Sequence, residues 1–137
     1  MGAIYGGHLL AKCLRDVEGV KTVFSLAGGH IDRIYDGFLE YGVRIVDVRH
    51  EQAAAMMAHA WSIYGPHAGV CLVTAGPGYT NALTGVVNAS LDNVPIVVIS
   101  GMASSGFHHR DEQTFHREAR DRQIGGQWRI VDHLDDA

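Results

Sequence analysis

One carboxylate, Glu51, stands at the start of a segment made mostly of alanine and methionine, RHEQAAAMMAHAW at residues 49–61. A carboxylate can act as an acid or base, most effectively where water is scarce and its hydrogen bonds are strong. A zinc-peptidase helix also begins with His-Glu, but Ala54 stands where its second histidine is required. Two interpretations remain: Glu51 is held for catalysis, or it only stabilises a helix dipole by about 0.3–1 kcal/mol.

Glycine in two further segments, LAGGHID (26–32) and TAGPGYTN (74–81), would let the backbone come close to a ligand. A dinucleotide fingerprint would need a third glycine at the position of Asn81, and a phosphate loop would need a Gly-Lys-Ser/Thr ending. Both familiar nucleotide motifs are therefore incomplete. A tight strand-to-helix turn stabilised by Asn81 and a small nucleotide-binding module at residues 76–81 remain as alternatives.

A metal site is not predicted in this chain. His108, His109 and His116 lie near Asp111, but their spacing matches no standard metal site. We expect this polar segment to be solvated.

The composition indicates one globular unit of 137 residues, 47% of them hydrophobic. The net charge of −4 and the absence of basic stretches argue against nucleic acid or an anionic membrane as a partner. Cys13 and Cys71 lie in apolar contexts, so we expect two buried thiols. With neither a membrane-spanning run nor a signal-peptide pattern at the N-terminus, we expect a cytoplasmic protein.

Four aliphatic runs without strict alternation predict strands that are covered on both faces. They span 20–27, 43–48, 69–75 and 95–101. Helical spacing precedes and separates them at 5–17, 31–41, 51–64 and 79–91, and the first helix would bury Leu9, Leu10, Cys13 and Leu14. This alternation predicts a doubly wound α/β fold, a parallel sheet with helices on both faces. We assign residues 1–105 to that domain and 106–137 to a divergent polar segment with little expected order.

Ligands of such sheets bind at the carboxyl ends of the strands. The segments 26–32, 48–52 and 74–81 should therefore meet at one edge. Their order and the run TAGPGYTNALTGVVNASLDNVPIVVISG (74–101) resemble the pyrimidine-binding domain of thiamine diphosphate enzymes, in the acetolactate synthase and benzaldehyde lyase branch. The resemblance covers residues 4 to 105.

In that family, the glutamate that matches Glu51 hydrogen-bonds N1′ of the aminopyrimidine and so activates thiamine diphosphate. The resemblance therefore implies a catalytic role for Glu51 and decarboxylase, carboligase or lyase chemistry at C–C bonds. It implies that His30 transfers protons on bound substrate, although a histidine at a strand end can also serve only as a cap or in packing. It further implies a set of cofactor-binding residues: Gly28, Gly29, Glu51, Pro77, Gly78 and Asn81.

The sequence also departs from the family. Ala27 replaces the usual proline, and TFHRE (114–118) places His116 where a glutamine is usual. The Gly-Asp-Gly motif that holds Mg²⁺ and the diphosphate is missing, so we expect a partner chain or domain to supply them, in a homo- or hetero-oligomer. The alternative is a catalytically inactive relative that serves only as a fold or association module.

Overall fold

The computed structural model describes residues 5–102. The predictions for residues 106–137, including His108, His109, Asp111 and His116, lie outside this part. Nine elements follow one another, with each strand after the first reached through a helix. They are α1 (Gly6–Lys12), a π-helical turn (Cys13–Val17), β1 (Thr22–Ser25), α2 (Asp32–Glu40), β2 (Arg44–Asp47), α3 (Glu51–Tyr64), β3 (Gly69–Val73), α4 (Pro77–Leu91) and β4 (Ile96–Ser100).

The four strands form one parallel sheet in the order β2-β1-β3-β4. The two central strands, β1 and β3, are buried along their whole length, whereas β2 and β4 are partly exposed at the edges. Continuous aliphatic runs are typical of strands covered on both faces, as the central pair is. The predicted doubly wound α/β fold is confirmed.

The core consists of two clusters, one on each face of the sheet. One contains Phe38 and Ile34 of α2 with Leu14, packed against β1 and β3. The other contains Ala54, Ala55 and Ala58 of α3 and Ala82 of α4. Small residues let α3 and α4 come close together, since a Cβ built on Gly85 would lie 2.6 Å from the Cβ of Ala55.

The first helix differs from its prediction. Leu14 is buried, but Leu9 is 54% exposed and Cys13 is exposed, so only Cys71 is a buried thiol. The chain changes from α-helix to a π-helical turn at Cys13. Ala11 and Leu14 are buried at ordinary helical spacing, so the buried face is centred on them, and Leu9 and Cys13 lie on the other side of the helix.

All strands run parallel, so their carboxyl ends share one edge of the sheet. Ser25, Asp47, Val73 and Ser100 end the four strands there. The segments 26–32, 48–52 and 74–81 follow three of these ends directly, which confirms their predicted meeting at a common edge.

Candidate functional site

Glu51 is the first residue of α3 and is only 7% exposed. The helix has a different side-chain cap, because Nδ1 of His50 accepts a hydrogen bond of 3.2 Å from the backbone N–H of Gln52. A favourable position near the helix dipole does not require a carboxylate to be buried, since such interactions occur on exposed first turns. Burial of an ionisable group is costly and is typical of functional sites.

Three neighbours define the surroundings of the Glu51 carboxylate. The side-chain N–H of Asn81 donates a hydrogen bond of 3.0 Å to Oε2. The other oxygen, Oε1, lies 3.6 Å from the position of a Cβ built on Gly78. The third neighbour is Cys71. Burial raises the pKa of its thiol to about 12, and the negative charge of Glu51 contributes to this rise.

The dry surroundings of Glu51 come from the alanines of α3 and not from its methionines. Ala54, Ala55 and Ala58 have no exposed surface, whereas Met56 and Met57 are 40% and 43% exposed. Positions 54, 55 and 58 lie on the same side of the helix as position 51, because the helical repeat returns after three, four and seven residues.

Thr74 follows β3 and joins the first and third segments of the edge. A Cβ on Gly28 would lie 2.5 Å from the Cβ of Thr74, and a Cβ on Gly78 would lie 2.8 Å from its Cγ2. Such distances are too short for real side chains, so both positions require glycine. Gly78 in turn borders Glu51, and the three segments therefore form one continuous surface.

His30 lies on the same surface and is exposed. Its Nδ1 is 3.4 Å from Oγ1 of Thr74, and its Cβ lies 2.8 Å from the position of a Cβ on Gly101. Gly101 is tied to β3 by a 2.9 Å hydrogen bond from its N–H to the carbonyl of Val73. His30 is thus held between the ends of β3 and β4.

The structure brings five of the seven predicted site residues together: Gly28, His30, Glu51, Gly78 and Asn81. Gly29 is open, since no heavy atom of the described residues other than its chain neighbours lies within 4 Å of its Cβ position, and Pro77 is exposed where α4 begins. The turn before α4 depends on Gly76, whose φ of 61° favours glycine.

Two residues of this surface were not singled out from the sequence: Thr74, although it lies in the predicted segment 74–81, and Gly101. Each directly follows a strand, and that position is the one signal that could have identified them.

Within residues 5–102, no group of three or more His, Cys, Asp or Glu side chains is arranged to hold a metal ion. No helix of the same part is long and apolar enough to cross a membrane.

A buried acid at the carboxyl edge of a parallel sheet, bordered by glycine turns, is an arrangement typical of ligand sites in α/β domains. The sequence matches the family described as "Thiamine pyrophosphate enzyme, N-terminal TPP binding domain" over residues 4–124, and the chain belongs to this family. The resemblance stated from the motifs is confirmed.

Relatives come from two groups of enzymes. The chain is 44% identical over 100 residues to "Probable acetolactate synthase" of Mycobacterium bovis, covering 73% of this chain and 18% of that protein. It is 42% identical over 102 residues to "Acetolactate synthase isozyme 2 large subunit" of Escherichia coli, covering 74% and 18%. It is 45% identical over 101 residues to "2-hydroxyacyl-CoA lyase 2" of Danio rerio, covering 74% and 16%. The chain therefore spans less than a fifth of the length of these relatives.

Proposed function

We propose that this chain forms the pyrimidine side of a thiamine diphosphate site and that Glu51 is its catalytic residue. The observation that carries the proposal is a carboxylate 7% exposed with one oxygen beside Gly78. A heterocycle with a basic ring nitrogen fits such a site, because the carboxyl group can share a proton with that nitrogen. The bound cofactor supplies a nucleophilic carbon and an electron sink for making or breaking C–C bonds.

The remaining site residues border the same heterocycle in this proposal. Gly28, Gly29, Pro77 and Gly78 offer backbone at close range, and Asn81 completes the wall beside Glu51. The open space at Gly29 supports this, because no side chain of the described residues occupies it. His30 is exposed at the rim, where it can exchange a proton with a substrate carbonyl or hydroxyl oxygen. The substrates are 2-oxo acids, 2-hydroxy ketones or aldehydes.

A partner chain or domain completes the site by holding the diphosphate and Mg²⁺. Mg²⁺ binds through one or two carboxylates and the phosphates of its ligand, and residues 5–102 offer no acidic cluster for it. The relatives are more than five times longer than the matched region, which supports a further domain. Exposed apolar side chains on α3, including Ile63 and Tyr64 at 49% and 88%, support association in a homo- or hetero-oligomer.

The same exposed side of α3 favours a second candidate function, that of an inactive association module. A nucleotide-binding module at residues 76–81 is less favoured, because the Glu51 carboxylate borders Gly78 and would repel phosphate. The cytoplasmic location stays a prediction.

A reconstituted enzyme tests the proposal. The chain is combined with a partner that carries the diphosphate and Mg²⁺ site, and thiamine diphosphate-dependent turnover of pyruvate is measured. Glu51→Gln should lower turnover by about 100-fold or more, the usual contribution of a positioned acid or base. Glu18→Gln, at an exposed position before β1, is the matched control and should leave turnover unchanged. Equal turnover in both variants would contradict the proposal and favour the association module.

A further inference from the structure

The two carboxylate oxygens of Glu51 have different surroundings. Oε2 accepts the 3.0 Å hydrogen bond from Asn81, and Oε1 is directed toward the backbone of Gly78. A buried carboxylate needs donors, since an unpaired polar group in the interior costs several times the net gain of a hydrogen bond. Asn81 meets this need at one oxygen and leaves the other available.

The orientation of the Asn81 amide follows from the same contact. A flipped amide would place its carbonyl oxygen against Oε2, and two acceptors would then face each other. The N–H group must therefore be directed at the carboxylate. The N–H that donates to Oε2 is not available to a ligand, whereas the amide keeps a second N–H donor and its carbonyl acceptor.

The distance between the two residues is fixed by the packing of their helices. Glu51 begins α3 and Asn81 lies in the first turns of α4. The helices approach closely where Gly85 meets Ala55, and a Cβ on Gly85 would be only 3.0 Å from the carbonyl oxygen of Gln52. This contact one turn further along α4 limits any movement of Asn81 relative to Glu51.

We propose that Asn81 is a positioning residue that holds Oε2 of Glu51, so that Oε1 is the oxygen that shares a proton with the ligand. This inference rests on the proposed function, and it changes the role of Asn81 from a contact of the cofactor to a contact of the catalytic acid. With one oxygen held, the carboxylate stays in the single rotamer that presents Oε1 beside Gly78. Fixing a reacting group in this way raises the rate without adding ligand contacts.

An exchange of side chains tests the contact in the full 137-residue chain without cofactor. Asn81→Asp places two carboxylates at hydrogen-bonding distance and should lower the urea midpoint at neutral pH, and acidification should reduce the loss. Asn81→Asp combined with Glu51→Gln restores an amide–carboxylate pair with the roles exchanged, and the midpoint should recover most of the loss. A combined variant less stable than Asn81→Asp alone would overturn the inference.

Kinetics of the reconstituted enzyme separate positioning from direct contact. Asn81→Ala should lower kcat about tenfold or more while the half-saturating concentration of thiamine diphosphate changes less than about twofold. Asn81→Ser, which keeps a donor, should recover part of the rate. An unchanged kcat with a raised half-saturating concentration would mean that Asn81 binds the cofactor directly, and the inference would be wrong.

The catalytic role of Glu51 and the positioning role of Asn81 would be contradicted by different experimental outcomes. Recovery of stability in the exchanged variant, together with full turnover of Glu51→Gln, would support the contact but contradict the proposed function. Loss of turnover in Glu51→Gln without recovery of stability would contradict the inference alone.

Discussion

Thr74 and Gly28 pack against each other so closely that a Cβ on Gly28 would lie 2.5 Å from the Cβ of Thr74. The two residues follow the neighbouring central strands β1 and β3 and are 46 positions apart in the chain. Their contact joins two of the three segments at the carboxyl edge. The absence of a side chain at Gly28 is therefore required by the fold itself, before any ligand binds.

Alanine substitutions at two adjacent glycines separate an effect on folding stability from an effect on cofactor binding. Gly28→Ala should lower the free energy of unfolding by about 1–3 kcal/mol, because the new methyl group overlaps Thr74. Gly29→Ala should change it by less than about 0.5 kcal/mol, because the space there is open. In the reconstituted enzyme, Gly29→Ala should nevertheless reduce affinity for thiamine diphosphate. Urea unfolding and cofactor titration measure the two effects, and unchanged affinity would contradict a close approach at Gly29.

We expect the hydroxyl group of Thr74 to support the function of His30 in the assembled enzyme. Oγ1 of Thr74 lies 3.4 Å from Nδ1 of His30. The side chain of Thr74 is β-branched and packs between Gly28 and Gly78, so rotation about its χ1 angle is restricted. Thr74→Val keeps the shape and removes the hydroxyl group, so it should lower turnover about tenfold with little loss of stability. The control, Thr74→Ser, keeps the hydroxyl group and should retain more activity. If Thr74→Val still lowers turnover in a His30→Ala background, the effect does not pass through His30.

The two cysteines should differ in reactivity toward a thiol reagent at pH 8. Cys13 is exposed, whereas burial, together with the negative charge of Glu51, raises the pKa of Cys71 to about 12. A thiol with that pKa stays protonated at pH 8 and is a poor nucleophile. One thiol should therefore react in the native protein and the second only after unfolding. Cys13→Ser should remove the native reaction, and a remaining native reaction would contradict the burial of Cys71.

The buried His59 of α3 has two polar neighbours, Asn88 and Asp92, and we expect the contact with Asn88 to contribute more to stability. His59 is 6% exposed, and its Nδ1 lies 3.2 Å from Nδ2 of Asn88, an exposed residue of α4. Its Nε2 lies 3.4 Å from Asp92, whose side chain is 57% exposed. Asn88→Ala should cost about 1–3 kcal/mol, and Asp92→Asn less than about 1 kcal/mol. Thermal or urea unfolding compares them, and a larger loss in Asp92→Asn would reverse the assignment.

The sheet could be predicted from the sequence because aliphatic runs and helical spacing are local signals. The common edge followed from geometry, since parallel strands place their carboxyl ends together. The prediction failed for Leu9 and Cys13, since the small residues Gly7 and Ala11 make the close contact with α2 and so set the buried face of the first helix.

The site was predictable only as a set of segments. Thr74 was within a quoted motif, but its role depends on Gly28 being opposite, a contact between distant parts of the chain. The division of tasks between the two oxygens of Glu51 depends on the crossing of α3 and α4, which no spacing in the sequence specifies.

The activation of the cofactor by Glu51 is tested most directly by the exchange of the cofactor's C2 proton with deuterium in the reconstituted enzyme, without substrate. Quenched-flow NMR measures its rate for the unchanged chain, Glu51→Gln and the Glu18→Gln control. We expect exchange to be about 100-fold or more slower in Glu51→Gln and unchanged in Glu18→Gln. Equal exchange rates in all three proteins, with cofactor bound in each, would contradict activation by Glu51.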